Sequence, residues 1–186
     1  MGIEYFKTLF GYYKIRTESR FRKAAAEGGC RWELARDITV TTAVVVTADQ
    51  ALMINGRGHS VVKTNDHHRS AILVVGPHAD LFIRNVRMCS TVGGCFHVDV
   101  RAKLCVDACD LQSAGDGIVN YGKAWVCGGT TMTSTRAGAV CVRNMRTPGN
   151  EVGELTLYRC TIDGLYNDGV LTVMRQDSQI RAEFTQ

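Results

Sequence analysis

Apolar and polar residues alternate in short runs along most of this chain, and the runs recur. Segments 70–88 (SAILVVGPHADLFIRNVRM), 94–111 (GCFHVDVRAKLCVDACDL), 117–132 (GIVNYGKAWVCGGTTM), 139–162 (AVCVRNMR through GELTLYRCTI) and 169–180 (GVLTVMRQDSQI) align as strand, turn, strand. Period-2 alternation within each run predicts strands with one face in a core. Aligned on the second strand, one column holds Leu52, Leu81, Leu104, Trp125, Leu155 and Ile180, and two residues later come Ile54, Ile83, Val106, Cys127, Leu157 and Ala182. A third column holds Met88, Leu111, Met132 and Ile162, and the first strand supplies Ile72, Phe96, Ile118, Val140 and Val170. Self-similarity at roughly 20–30 residues is the mark of a solenoid, whose corners absorb loops of unequal length while the rungs stay aligned. The turn-rich insertion TPGNEVG (147–153) accounts for one long interval.

Ahead of the repeat, residues 3–14 place Tyr5, Phe6, Leu9, Phe10 and Tyr13 at helical spacing. Thr17 is a good N-cap for a second helix, SRFRKAAAE, which Gly28-Gly29 would end. The expected organisation is therefore a helical segment and cap over residues 1–29 and a β-domain over 30–186. Solenoids need end caps because a bare end rung exposes both the core and unpaired strand edges. The tail after residue 174 shows only one more weak strand and no large cap.

Two or three strands in a repeat of this length predict one turn of a parallel β-helix, with about five or six coils stacked at about 4.8 Å. Leucine-rich repeats have similar lengths but need a fixed Leu and Asn ladder that the repeat does not show. The triplets Gly94-Cys95-Phe96, Asp116-Gly117-Ile118, Gly138-Ala139-Val140 and Asp168-Gly169-Val170 resemble the generic repeat of the pectin-lyase-like, right-handed parallel β-helix family, over roughly residues 30–182. That resemblance implies an all-β, single-stranded right-handed parallel β-helix with an N-terminal α-helical cap. It implies no single activity, because the family includes lyases, hydrolases, tailspikes, adhesins and non-catalytic scaffolds. In its enzymes, catalysis sits on one outer face where acids on neighbouring rungs converge. Asp116 and Asp168 are the candidates here, at one repeat position two rungs apart, about 9.6 Å between backbones. That separation is at the edge of the range for paired glycosidase carboxylates. Asp-Gly is also ordinary turn chemistry, and no third acid joins the pair.

Outward positions point elsewhere. If Ile72, Phe96, Ile118, Val140 and Val170 face the core, then Leu73, His97, Val119, Cys141 and Leu171 face out, and Phe82, Cys105 and Val126 do so beside the second strand. A contiguous apolar outer face marks a docking surface. Leu73, Val119, Cys141 and Leu171, with Tyr5, Phe6 and Phe10 of the aromatic N-terminal segment, are the expected partner-binding residues.

Charge and cysteine content add little. The net charge is +4, with 22 basic and 18 acidic residues interspersed, which allows non-specific contact with nucleic acid without requiring it. The arginines form no stripe with interleaved aromatics. The eight cysteines include no Cys-x-x-Cys pair, and stacked small apolar residues are the expected role. No metal and no cofactor are expected; the adjacent His67 and His68 diverge on extended backbone. No apolar run is long enough to cross a membrane. With no signal peptide ahead of the thiols, an intracellular, reducing compartment (cytoplasm or organelle matrix) is expected. The expected function is a non-catalytic structural or accessory subunit whose partners are the protein subunits of a larger assembly; a carbohydrate-active enzyme or glycan-binding protein is the alternative.

Overall fold

A computed structural model describes residues 13–28, 31–64, 70–174, 178–181 and 183–185. The alternating runs become short strands that the chain lays down in three parallel sheets, visited in turn. Sheet A holds Tyr13–Ile15, Arg31–Leu34, Ala51–Asn55, Asp80–Arg84, Lys103–Asp107, Lys123–Cys127, Glu154–Leu157 and Val170–Val173. Sheet B holds Ile38–Val40, Ser60–Lys63, Arg87–Ser90, Asp110–Ser113, Thr131–Ser134, Thr161–Ile162 and Gln179–Ile180. Sheet C holds Val44–Val46, Leu73–Val75, Phe96–Val98, Ile118–Asn120, Val142–Asn144, Leu165–Asn167 and Glu183–Thr185. The fold is the expected all-β parallel solenoid. Among the described residues the two 7-stranded sheets make seven coils, counted from Arg31, more than the five or six read from the repeat.

Inside, like stacks on like. Sheet A contributes Leu52, Leu81, Leu104, Ala124, Leu155 and Leu171 in one column, and Ile54, Ile83, Val106, Val126 and Leu157 in the next. Sheet B contributes Ile38, Val61, Met88, Leu111, Met132, Ile162 and Ile180. Sheet C contributes Val44, Leu73, Phe96, Ile118, Val142 and Leu165. Four expected members of the sheet A columns give way. Ala124 and Val126, not Trp125 and Cys127, point inward, and Leu171 and Val173 stand where Ile180 and Ala182 were expected; Ala182 lies outside the described residues. In sheet C the partner of Phe96 is Leu73 rather than Ile72, because Ile72, Cys95 and Cys141 sit one residue earlier, on the corner, and are themselves fully buried. Two successive inward residues break the period-2 rule at that corner.

Many corners turn on one or two residues in left-handed conformation. Between sheets C and A these are Asp49 (φ 62), His78 (φ 60) and Arg101 (φ 62); between A and B they are Asn85 (φ 51), Ala108 (φ 50), Arg159 (φ 51) and the pairs Arg57-Gly58 (φ 55 and 82) and Gly128-Gly129 (φ 66 and 85). Such a conformation costs a non-glycine residue about 1–2 kcal/mol, offset here by closing bonds such as Ala102 N to Asp99 O, 3.0 Å. Between B and C the constraint is close approach instead. A Cβ on Gly94 would lie 2.1 Å from Asp116 O, and one on Gly117 would lie 2.5 Å from Cys141 O. This explains the glycines of Gly94-Cys95-Phe96 and Asp116-Gly117-Ile118, whereas Gly138 turns on a positive φ of 79.

The capping helix spans Glu18–Glu27. Thr17 Oγ1 accepts from Arg20 N at 3.2 Å, and the Gly28 amide closes the other end on Ala24 O at 3.0 Å. Phe21, Ala24 and Ala25 are buried against the first coil, and Arg22 donates to Ala43 O (2.8 Å) and Thr42 O (2.9 Å). Tyr13, expected on a helix, lies instead in a strand paired with Arg31–Leu34, its ring 5.0 Å from Trp32. Residues 1–12, with Tyr5, Phe6 and Phe10, lie outside the described residues. The other end is more open: Val173, in register with buried Leu157, is 42% exposed. Among the described residues no helix is long and apolar enough to cross a membrane.

Two inward columns carry polar residues: Lys63, Ser90 and Ser113 stack at the end of the sheet B strands, and asparagines do so in sheet C. Asn120, Asn144 and Asn167 stack where sheet C ends. Asn120 Nδ2 donates to Asn144 Oδ1 (2.8 Å), and Asn144 Nδ2 donates to Asn167 Oδ1 (2.7 Å), Gly153 O (3.0 Å) and Val170 O (3.1 Å). Asn144 is fully buried. Its replacement by alanine removes these four hydrogen bonds and leaves a gap in the interior, so Asn144→Ala should cost about 2–4 kcal/mol in urea denaturation; a loss below about 1 kcal/mol would show that the ladder carries little.

Candidate functional site

The outer face of sheet A carries three parallel rows, because outward residues repeat every second position and the strands are in register. Its middle row is Met53, Phe82, Cys105 and Trp125 on four successive coils. Met53 is 36% and Trp125 37% exposed, while Phe82 and Cys105 are half-buried between them. The flanking rows are charged. Asp80, Lys103, Lys123 and Glu154 run along one side, with Lys103 Nζ 3.3 Å from Asp80 Oδ2 and Lys123 Nζ 2.9 Å from Glu154 Oε1. Arg84 and Asp107 run along the other. This is an apolar, aromatic ridge on a flat sheet with a polar rim, the anatomy of a protein interface.

Sheet C presents a more polar outer row: Val45, Val74, His97, Val119, Arg143 and Tyr166. Of the residues expected to form an apolar face here, Val119 does point outward and is half-buried. Leu73 and Cys141 are fully buried in the core, and Leu171 belongs to the inner column of sheet A. Arg143 is fixed by two neighbours, its Nε 2.7 Å from Asp116 Oδ2 and its guanidinium 5.0 Å from the centre of the Tyr166 ring. Beside it opens a cleft of about 540 Å³ lined by Val140, Cys141, Arg143, Asp163 and Tyr166 among others.

The carboxylate pair proposed for catalysis is not assembled. The register Ile118–Val142–Leu165 places Asp163, not Asp168, in the column of Asp116, with Val140 between. Asp168 follows Asn167 at the opposite end of a sheet C strand, its amide donating to Asn144 O at 2.8 Å. The slip arose because Val170 opens a strand of sheet A, whereas Ile118 opens one of sheet C. Both aligned acids are also paired: Asp116 accepts from Arg143 and from Val140 N (3.0 Å), and Asp163 Oδ1 lies 2.9 Å from Arg181 Nη1.

Trp125 and Met53 were not legible as site residues from the columns. Lys123 held the missing signal for Trp125, since counting by twos from that outward charge sets Ala124 inside and Trp125 outside. Among the described residues no group of three His, Cys, Asp or Glu side chains could hold a metal ion. Lys63 is fully buried, donates to Ser70 O (2.6 Å) and Ser70 Oγ (2.8 Å), and has its pKa lowered by desolvation. No protein-family description, curated protein or solved structure matches this chain.

Burial makes six of the described cysteines poor nucleophiles. Cys109 and Cys160 occupy the same corner column, one on each side of Thr130, and all seven cysteines among the described residues are free thiols. Burial pushes Cys105 up to about 12 and Cys109 up to about 11, and raises Cys95, Cys127, Cys141 and Cys160. An unfolded thiol ionises near about 8.5, so above that pH the unfolded chain binds fewer protons than the folded one. Stability intact below about pH 8.5 should therefore be lost as pH rises through about 11 to 12. Urea midpoints under reducing conditions, at about pH 8 and about pH 10.5, check this. The fall should be smaller in a Cys105→Ala/Cys109→Ala variant, and equal slopes would assign the loss to other groups.

Proposed function

We propose that this protein is a non-catalytic structural or accessory subunit of a larger macromolecular assembly, docking through the outer face of sheet A. One observation carries the proposal: Met53, Phe82, Cys105 and Trp125 form a continuous apolar row on four coils, with both large ends more than a third exposed. A solenoid face that meets only water has no use for a tryptophan and a phenylalanine in register. Such side chains, set in a rigid sheet and ringed by charge, are the usual anchors of protein interfaces, because little conformational entropy is lost when they dock. The alternative, a carbohydrate-active protein built around Asp116 and Asp168, is weakened by their placement at different corners and by the ion pair that occupies Asp116.

Sedimentation of the native protein from gently lysed source cells, with and without nuclease, tests the proposal. The wild-type chain should run well above its 20.4 kDa mass. Trp125→Asp and Phe82→Asp should each weaken association at least tenfold, about 1.4 kcal/mol or more, as for an interface anchor, whereas Asp116→Asn should leave it unchanged. Wild-type protein running as a free body would remove the subunit reading, and a screen of polyuronates and other glycans would follow.

A further inference from the structure

The charges around the apolar row are arranged so that a second copy, related by a two-fold axis, would satisfy them. On the third coil the outward residues of sheet A are Asp80, Phe82 and Arg84; on the fourth they are Lys103, Cys105 and Asp107. Signs alternate along each strand and again from coil to coil, so the four charges form a neutral checkerboard. Turning a second copy by a half-rotation about an axis parallel to the strands, midway between Phe82 and Cys105, exchanges the third coil with the fourth. Asp80 then faces Lys103 of the second copy, and Arg84 faces its Asp107. Phe82 meets the second copy's Cys105, and Met53 on the second coil meets its Trp125 on the fifth. Each of the four charges then meets its opposite, and each of the two central pairs joins an aromatic ring to sulfur, a favourable contact. A half-rotation about the solenoid axis also opposes unlike charges, but it sets Trp125 against Trp125 and Phe82 against Phe82, large on large.

We infer that the occupant of this face is a second copy of the same chain, packed sheet to sheet as an isologous dimer about that strand-parallel axis. The inference rests on the docking role given to sheet A and names its partner. Two sheets stack face to face at about 10 Å with their strands nearly aligned, which lets the apolar row interdigitate while the flanking rows pair. The footprint is modest. Six coils at about 4.8 Å and five-residue strands at about 3.3 Å per residue give roughly 450–500 Å² per copy, below the about 800 Å² of a standard interface. The dimer should therefore be reversible, with a dissociation constant on the order of micromolar.

Sedimentation equilibrium of the purified full chain over about 1–100 µM, a range that brackets such a constant, tests the inference. The expected result is a monomer–dimer equilibrium that Asp80→Lys or Lys103→Glu each weakens about tenfold, since each reversal opposes like charges twice across the axis. Mixing the two single variants in equal amounts should restore wild-type affinity, because each variant then supplies the charge the other lacks. A wild-type chain that stays monomeric throughout, a mixture no tighter than either variant alone, or a dimer indifferent to both reversals would overturn it. A monomeric purified chain that still enters a large particle in a lysate through Trp125 overturns self-pairing and leaves the docking reading standing. A chain free in both settings overturns both.

Discussion

The structure depends on one constraint: each coil is hydrogen-bonded, in parallel register, to the coil before it and the coil after it. Parallel register puts equivalent positions directly above one another, so the inside of the solenoid is a set of columns rather than a jigsaw of unlike contacts. Columns of Leu, Ile and Val follow, because any branched aliphatic residue of similar size stacks on any other. The same constraint makes the ends special. At the first coil, Phe21, Ala24 and Ala25 close the column tops; at the last, Val173 keeps a large exposed area although its register partner Leu157 is buried.

Sequence alternation made much of this legible. The columns through Leu52, Leu81 and Leu104, through Met88, Leu111 and Met132, and the Thr17-capped helix all stand where the pattern put them. Errors fell where alternation is ambiguous or suspended. Ala124-Trp125-Val126 is apolar throughout, so its phase is set only by the charge at Lys123. At the corner before sheet C, Ile72 and Leu73 both bury, and a rule that assigns one of every two residues to the core must misplace one of them. A single slip of this kind moved Leu73 and Cys141 to the wrong face, as expected where the side-chain period is two. Val170, one strand out of step, carried Leu171 and Asp168 with it.

The candidate site was half visible for the same reason. Phe82 and Cys105 were read as outward correctly, but the row they belong to is completed by Trp125 and Met53. Its extent depends on register across four coils, a long-range property that no single segment encodes. Asp116 likewise acquires its partner, Arg143, only when neighbouring coils are aligned. Left-handed corner residues such as His78, Arg101 and Arg159 carry no sequence signature at all, since glycine or asparagine would have been the natural guess.

The buried asparagines have a consequence beyond the bonds they make. Sliding one coil two residues along its neighbour keeps every side chain on its proper face, and the aliphatic columns would accept the change with little complaint. Such a slip sets Val142 where Asn120 expects an amide, and it leaves a buried polar group with nothing to bond. The interchangeable hydrophobic columns say that the coils stack; the asparagines say which residue lies over which. Three side chains thus work as a key against misregistration while the chain folds, a role that the aliphatic columns cannot fill.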